Sequence, residues 1–268
     1  MLIDFHSHIF PEKIAAKTLD VLKAGVLKYE NKKAISYHDG TKDGLLFLMD
    51  RSGVDISVTL PIATKPSQTE SINAFASSVK SDKIISFASL HPENDDTDSI
   101  LEKIKYDGFI GIKLHPEFQM SYVDSPSVIR ILKKAEEFRL YTVFHAGCDI
   151  GLPPPVHSMP IHFKNAMEYV SGRYIIAAHL GGWRMWDDVE KYLVGTPINF
   201  DTAFIKDYIS PSQAKRIIKA HGSQKILFGS DAPWEDPKDT LDFLHSLDLN
   251  KHELDNITYL NAQKILKV

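Results

Sequence analysis

Residues 2–9 read LIDFHSHI, an apolar stretch in which His6 and His8 stand two apart. On an extended strand that spacing turns both imidazoles to the same side. A pair of hydrogen-bonded structural histidines is one reading. A metal pair is the better one, because imidazole is a good ligand for zinc, iron and manganese-class ions, above all beside a carboxylate. The far end of the chain supplies such a carboxylate: KILFGSD (225–231) ends in Asp231. Six more segments of the same kind lie between, DISVTLPI (55–62), IISFASL (84–90), FIGIKLH (109–115), LYTVFHA (140–146), YIIAAHL (174–180) and PINFDTAF (197–204). Eight strands are therefore expected.

Helical patterns separate them, at 44–53, 71–80, 98–106, 125–139, 163–172, around 188–195 and at 210–222, most with apolar residues three and four apart. Gly53, Gly172 and Gly222 stand where helix C-caps are expected. Apolar strands that alternate with helices imply a parallel sheet. Eight of them suggest an α/β fold closed as a TIM (β/α)8 barrel, one domain spanning 1–268. An open doubly wound sheet has the same periodicity. The polar residues decide between the two: His6/His8, His91, His115, His145, His179 and Asp231 all fall at or just past strand C-terminal ends, which a barrel gathers at one mouth and an open sheet spreads apart. GCDIGLPPPVHSMPIH (147–162), with its three consecutive prolines, reads as a semi-rigid loop over that mouth, and the polar stretch 28–43 as a second excursion after strand 1.

Composition narrows the function. Hydrophobic residues make up 43% and charged residues 25%, so a packed core is affordable, and the net charge of -4 offers no broad positive field to nucleic acid or anionic lipid. No stretch approaches the roughly 20 apolar residues that span a bilayer, and the start has no signal-peptide pattern, so a cytoplasmic location is expected. Cys148 is the only cysteine; it reads better as a packing residue than as a nucleophile.

If the barrel closes, strands 1 and 8 are neighbours, and His6, His8, His145 and Asp231 form a divalent metal site with a position left for water or substrate. Zinc is the first expectation, with manganese or iron as alternatives. His179, in AAHLGG, is expected to orient or deprotonate metal-bound water, and Asp231 to share in proton transfer. Lys113 and His115 share one face of strand 4, and His115 is a candidate to bind substrate or to cap the strand. An ammonium pointing into a barrel needs a partner: Asp231, a substrate carboxylate, or a carboxylated form bridging a second metal, unless it snorkels at the rim. Arg184 and Trp183, in GGWRMWDD, are candidates to clasp and cover a carboxylate-bearing substrate. Phe118, Trp186 and Trp234 are candidate lining residues.

The pieces DFHSHIF, GIKLHPEFQ, HAGCDIG, AHLGG, LFGSDAPW and NAQKIL, in this order, resemble the amidohydrolase-related family that contains aminocarboxymuconate-semialdehyde decarboxylase, aromatic acid decarboxylases and TIM-barrel hydrolases. The resemblance implies metal ligation by His6, His8, His145 and Asp231 and a catalytic role for His179. It also implies one metal rather than two, and a homodimer. Its GIKLHP form tilts the expectation towards a metal-dependent hydrolase opening an amide, ester or lactone of a small organic acid through metal-activated water. Non-oxidative decarboxylation of an aromatic or unsaturated carboxylic acid is the alternative.

Overall fold

A computed structural model describes residues 1–268. The barrel strands are β1 (Ile3–Ser7), β2 (Ile56–Thr59), β3 (Ile84–Ser86 and, past Phe87, Ala88–Ser89), β4 (Gly111–Leu114), β5 (Tyr141–Phe144), β6 (Ile175–Ala177), β7 (Asn199–Asp201) and β8 (Ile226–Leu227). Every neighbouring pair is parallel, with Ile3 opposite Ile56, Ser57 opposite Ile84, Ala88 opposite Ile112, Lys113 opposite Val143, Phe144 opposite Ala177 and Phe200 opposite Ile226. Closure runs through β1 and the end of β8: Phe5 N donates to Phe228 O at 2.8 Å, Asp231 N to His6 O at 2.8 Å and His8 N to Ala232 O at 2.6 Å. Strands 1 and 8 are thus neighbours, as the eight-strand reading requires, and the fold is a TIM barrel.

Side chains fill the barrel. Ile3, Phe5, Val58, Phe87, Val143, Ile176 and Leu227 pack together with Ala262, Ile265 and Leu266, so the last helix, Asn261–Leu266, plugs the bottom opposite the mouth. A second, larger cluster lies between strands and the outer helices. Crossover helices fall close to the expected places: Lys42–Ser52, Thr69–Val79, Thr97–Tyr106, Pro126–Glu137, Trp186–Tyr192 and Pro211–His221. Gly53 and Gly222 are helix C-caps, whereas Gly172 is not, since its helix, Pro160–Ala166, starts and stops earlier than 163–172.

The largest departure from the sequence reading is a 19-residue helix, Glu12–Glu30, immediately after β1. Its apolar residues are split: Ala15, Leu19 and Val26 are buried, while Ile14, Val21 and Leu27 are exposed. That division blurs the single stripe by which amphipathic helices are recognised. The irregular excursion after strand 1 is accordingly shorter than 28–43 suggests and begins past Asn31, the left-handed C-cap. No helix is long and apolar enough to cross a membrane.

Candidate active site and metal centre

The C-terminal strand ends gather the polar residues at one place. His6 and His8 leave β1 with their inner nitrogens towards Asp231: His8 Nε2 lies 3.1 Å and His6 Nε2 3.5 Å from Asp231 Oδ1. The outer nitrogens are occupied. His8 Nδ1 donates to Leu60 O at 2.9 Å, and His6 Nδ1 meets Asp201 Oδ2 at 2.8 Å. With the ring protons on the outer edges, two nitrogen lone pairs and a carboxylate oxygen converge, an arrangement that a divalent cation stabilises and that fits a histidine–carboxylate metal site. Gly229 lets β8 come this close, since a Cβ there would stand 2.9 Å from His6 Cβ.

His145 and His179 form a second unit. His179 Nδ1 donates to Ala203 O at 2.9 Å and His145 Nε2 to Cys148 O at 3.0 Å, leaving His179 Nε2 and His145 Nδ1 facing each other at 3.0 Å. A proton between those inner nitrogens would make the pair cationic, which burial, then His115 and His179, opposes by holding His145 well below the ordinary imidazole value. The His179 ring is 5.3 Å from that of His6, so the pair abuts the ligand face. His145 is therefore at the mouth but does not join the His6–His8–Asp231 group directly. It groups with His115 and Asp149, its ring stacked on His115 at 4.3 Å and 14°. The three offer ligand atoms within 4.8 Å of one another, although His145 Nε2 is engaged by Cys148 O.

Electrostatics follow burial. Burial opposes the charge of Asp231, whereas His6 and His8, when they carry a proton on the nitrogen facing it, favour the carboxylate and hold its carboxyl down to about 2. Burial, then Lys113, lowers His6 and keeps it neutral. Burial brings Lys113 down to about 8, against the pull of Asp201, Asp231 and Glu117. Lys113 is 1% exposed, so it does not snorkel at the rim; its Nζ stands 3.5 Å from His6 Nε2 and makes no salt bridge. His115 caps the short helix Pro116–Gln119 by accepting from Phe118 N at 3.4 Å, and turns Nε2 to Asp149 Oδ2 at 3.4 Å.

Arg184 and Trp183 sit differently from the expectation of free substrate contacts. Arg184 pairs through both terminal nitrogens with Glu30, at 2.6 and 2.9 Å, and lies over the Trp183 ring. Trp183 is buried and donates from Nε1 to Phe204 O at 3.1 Å. Together they tie the long first helix to the loop after β6. Trp186 donates to His179 O at 3.1 Å, and the Cys148 thiol is raised by burial, as befits a packing residue.

Three buried polar residues at the mouth lie outside the sequence reading. Asp201 ends β7 fully buried, accepting from His179 N at 2.8 Å and Ala203 N at 3.0 Å besides meeting His6. Its position at the end of PINFD follows the same strand-end rule that singles out the histidines, so the signal was there. Glu117 Oε1 accepts from His157 N, Ser158 N and Ser158 Oγ, at 2.9, 3.1 and 2.9 Å, and so pins the proline-rich loop. His38, buried in the polar stretch before the second helix, carried no sequence signal.

A parallel eight-stranded barrel with histidines and a carboxylate converging at the C-terminal mouth defines a metal-dependent barrel enzyme. The chain belongs to the amidohydrolase family, whose model matches residues 3–268. No curated protein matches in sequence. Among solved structures, the chain is similar to 2,6-dihydroxybenzoate decarboxylase complexed with 2,6-dihydroxybenzoate, with 14% identity, TM-score 0.72 and coverage of 100% of this chain and 99% of that one. It is also similar to a dihydroxybenzoic acid decarboxylase from a Polaromonas species with bound manganese and 2-nitroresorcinol (16%, TM-score 0.70, 99% and 96%). A third is a probable 2-pyrone-4,6-dicarboxylic acid hydrolase from Acinetobacter baumannii with citric acid bound (16%, TM-score 0.66, 100% and 99%).

Proposed function

We propose that the protein is a metal-dependent, non-oxidative decarboxylase of an aromatic or unsaturated carboxylic acid. The observation that carries this is the buried Lys113 ammonium with no carboxylate in salt-bridge reach, beside the ligand face. A desolvated cation of this kind calls for an anion, and a substrate carboxylate or its neighbouring oxygen supplies one. The similar dihydroxybenzoate decarboxylases, one holding manganese, favour carbon dioxide loss over the hydrolysis that the GIKLHP form suggests.

In this reading His6, His8 and Asp231 would hold one divalent ion, manganese or zinc, and His145, whose nitrogens are engaged by Cys148 O and His179, would join them as fourth ligand only by turning its ring. When bound, the ion withdraws electrons from a substrate oxygen next to the carboxylate. Asp201 fixes the His6 tautomer. Lys113 offsets negative charge on the substrate. The bond from the substrate carbon to the carboxylate breaks, its electron pair stays on that carbon, and a proton delivered from solvent through His179 Nε2 forms the new carbon–hydrogen bond. Asp231, held ionised, serves as ligand rather than acid.

Hydrolysis keeps one specific support, the similarity to the probable 2-pyrone-4,6-dicarboxylic acid hydrolase. Metal-loaded protein offered hydroxybenzoates in one set of assays and lactones and esters in another separates the two. Carbon dioxide release is expected; lactone or ester cleavage with all acids inert replaces the decarboxylase reading. Elemental analysis supplies the metal test: about one equivalent per chain is expected in the wild type and none in the His6→Ala/His8→Ala double variant.

A further inference from the structure

The segment between the first two helices carries a buried histidine that neither the ligand set nor the acid–base pair uses. It is pinned on both sides. Tyr37 N donates to Pro233 O at 2.7 Å, two residues past Asp231, and Phe10 N donates to Gly40 O at 2.7 Å, two residues past His8. His38 is thereby held at the seam between the ends of β1 and β8, where His8 and Asp231 meet.

The ring's tautomer is fixed locally. Nδ1 accepts from Gly40 N at 3.0 Å, so the ring proton is on Nε2, at the opposite edge. That Nε2–H has no acceptor in the protein although the residue is only 8% exposed. The adjacent carboxylate is not its partner: Asp39 is committed to Thr41, accepting from its N at 2.9 Å and its Oγ1 at 2.7 Å. Asp231 Oδ1 belongs to the ligand face, 3.1 Å from His8 Nε2 and 3.5 Å from His6 Nε2. Buried donors in folded proteins are almost always met, and an unmet one beside a reaction centre is a standing donor for a ligand oxygen.

We propose that His38 is a substrate-binding residue of this site, its Nε2–H donating to an oxygen of the bound carboxylic acid. The inference rests on the carboxylic-acid reading above. It adds a neutral, directional donor on the β1–β8 side of the mouth, across from the Lys113 ammonium on β4. A directional donor discriminates more sharply than a charge, because an acid without an oxygen at that point leaves the N–H unpaired.

The test uses two substitutions that divide the ring's functions. His38→Asn keeps an acceptor for Gly40 N and removes the Nε2 donor, whereas His38→Gln places an amide N–H near the Nε2 position. Metal-loaded full-length proteins are titrated calorimetrically with 2,6-dihydroxybenzoate, with metal content and Tm measured alongside. Binding about tenfold weaker in His38→Asn, restored to within about threefold in His38→Gln, with metal content unchanged, is the expected result for one lost hydrogen bond. Unaltered binding in His38→Asn, or equal losses in both variants, overturns the assignment.

A second measurement stands apart from the functional reading. In protein labelled with 15N-histidine, the His38 Nε2–H resonance is expected to move on saturation with 2,6-dihydroxybenzoate or, should the wild type bind no aromatic acid, with acetate. A resonance indifferent to both refutes the His38 inference. Binding that moves it without carbon dioxide release from any acid removes the decarboxylase reading alone.

Discussion

Replacing Asp201 by Asn tests the ligand geometry through a residue that touches no metal. Asp201 Oδ1 accepts from His179 N and Ala203 N at 2.8 and 3.0 Å, while Oδ2 faces His6 Nδ1 at 2.8 Å. An Asn at this position keeps a carbonyl oxygen for the two backbone donors, so the loop after β6 stays in place. Its amide nitrogen then opposes His6 Nδ1, donor against donor, and the ring proton moves to Nε2, where the lone pair facing Asp231 must be. Loss of an orienting partner typically weakens metal affinity about 10 to 100-fold, or about 1.4 to 2.7 kcal/mol. The unfavourable tautomer puts this variant at the upper end of that range. Competition against a chelator of known affinity reads it with zinc and with manganese. Melting in excess chelator is expected to fall near the metal-free wild type. Asp201→Ala, by contrast, strands two buried N–H groups at about 1–3 kcal/mol each and lowers Tm without metal. Metal affinity in Asp201→Asn within threefold of the wild type would refute the orienting role.

Three further outcomes follow. Burial raises Glu117 to about 7 against its ordinary 4.5, so the folded protein holds a proton there that the unfolded chain loses first; the wild type should lose stability relative to Glu117→Gln as pH rises from about 4.5 to 7, then run parallel, with a change on the order of 3 kcal/mol read by denaturant unfolding. Lys113→Met removes a buried cation while keeping length: the metal-free fold should melt no lower than the wild type, and turnover of carboxylic acids should fall at least about 100-fold, about 2.7 kcal/mol in the barrier. Arg184→Ala breaks a partly exposed pair with Glu30, so about 0.5 kcal/mol of stability and faster proteolysis around residues 12–30 are expected; a KM increase of tenfold or more with unchanged stability would instead show that Arg184 leaves Glu30 to hold substrate.

What the sequence discloses about this site follows its regular elements. His6, His8, His145, His179, Lys113 and Asp231 are legible because strand ends in a barrel have a defined destination, so position along an apolar run becomes position in space. Asp201 obeys the same rule but lies within a strand reading that continues to Phe204, whereas the strand stops at Asp201. His38 and Glu117 are of another kind. Their places depend on where a polar excursion and a proline-rich loop fold back, which periodicity does not encode. The helix Glu12–Glu30 is hidden for a related reason: part of its apolar surface faces outwards. The chemistry of Arg184 and Trp183 suggests substrate contacts, but the partner that engages Arg184, Glu30, lies on that same helix.

The backbone around the site carries its own argument. His179, Leu180, Arg184, Phe204 and Asp231 all have positive φ, between 54° and 69°, although none is glycine. Such conformations cost on the order of 1 kcal/mol or more apiece and persist only where the surroundings over-determine them. Here the surroundings do. His179 N is held by Asp201 Oδ1, Leu180 N by Asp201 O at 2.7 Å, His179 O by Trp186, and Asp231 N by His6 O. The strained turn after β6 swings His179 inward from the path its strand was following, and the turn at Asp231 sets the carboxylate against His8 rather than along β8. A rigid barrel with a plugged bottom supplies the stability that holds these turns. Asp201 is the common point, since one buried carboxylate steadies the His179 turn with one oxygen and sets the His6 tautomer with the other. The His6–His8–Asp231 group and the His179–His145 pair are therefore built as one unit, and a substitution that disturbs one without the other has to separate those two oxygens, as Asn does and Ala does not.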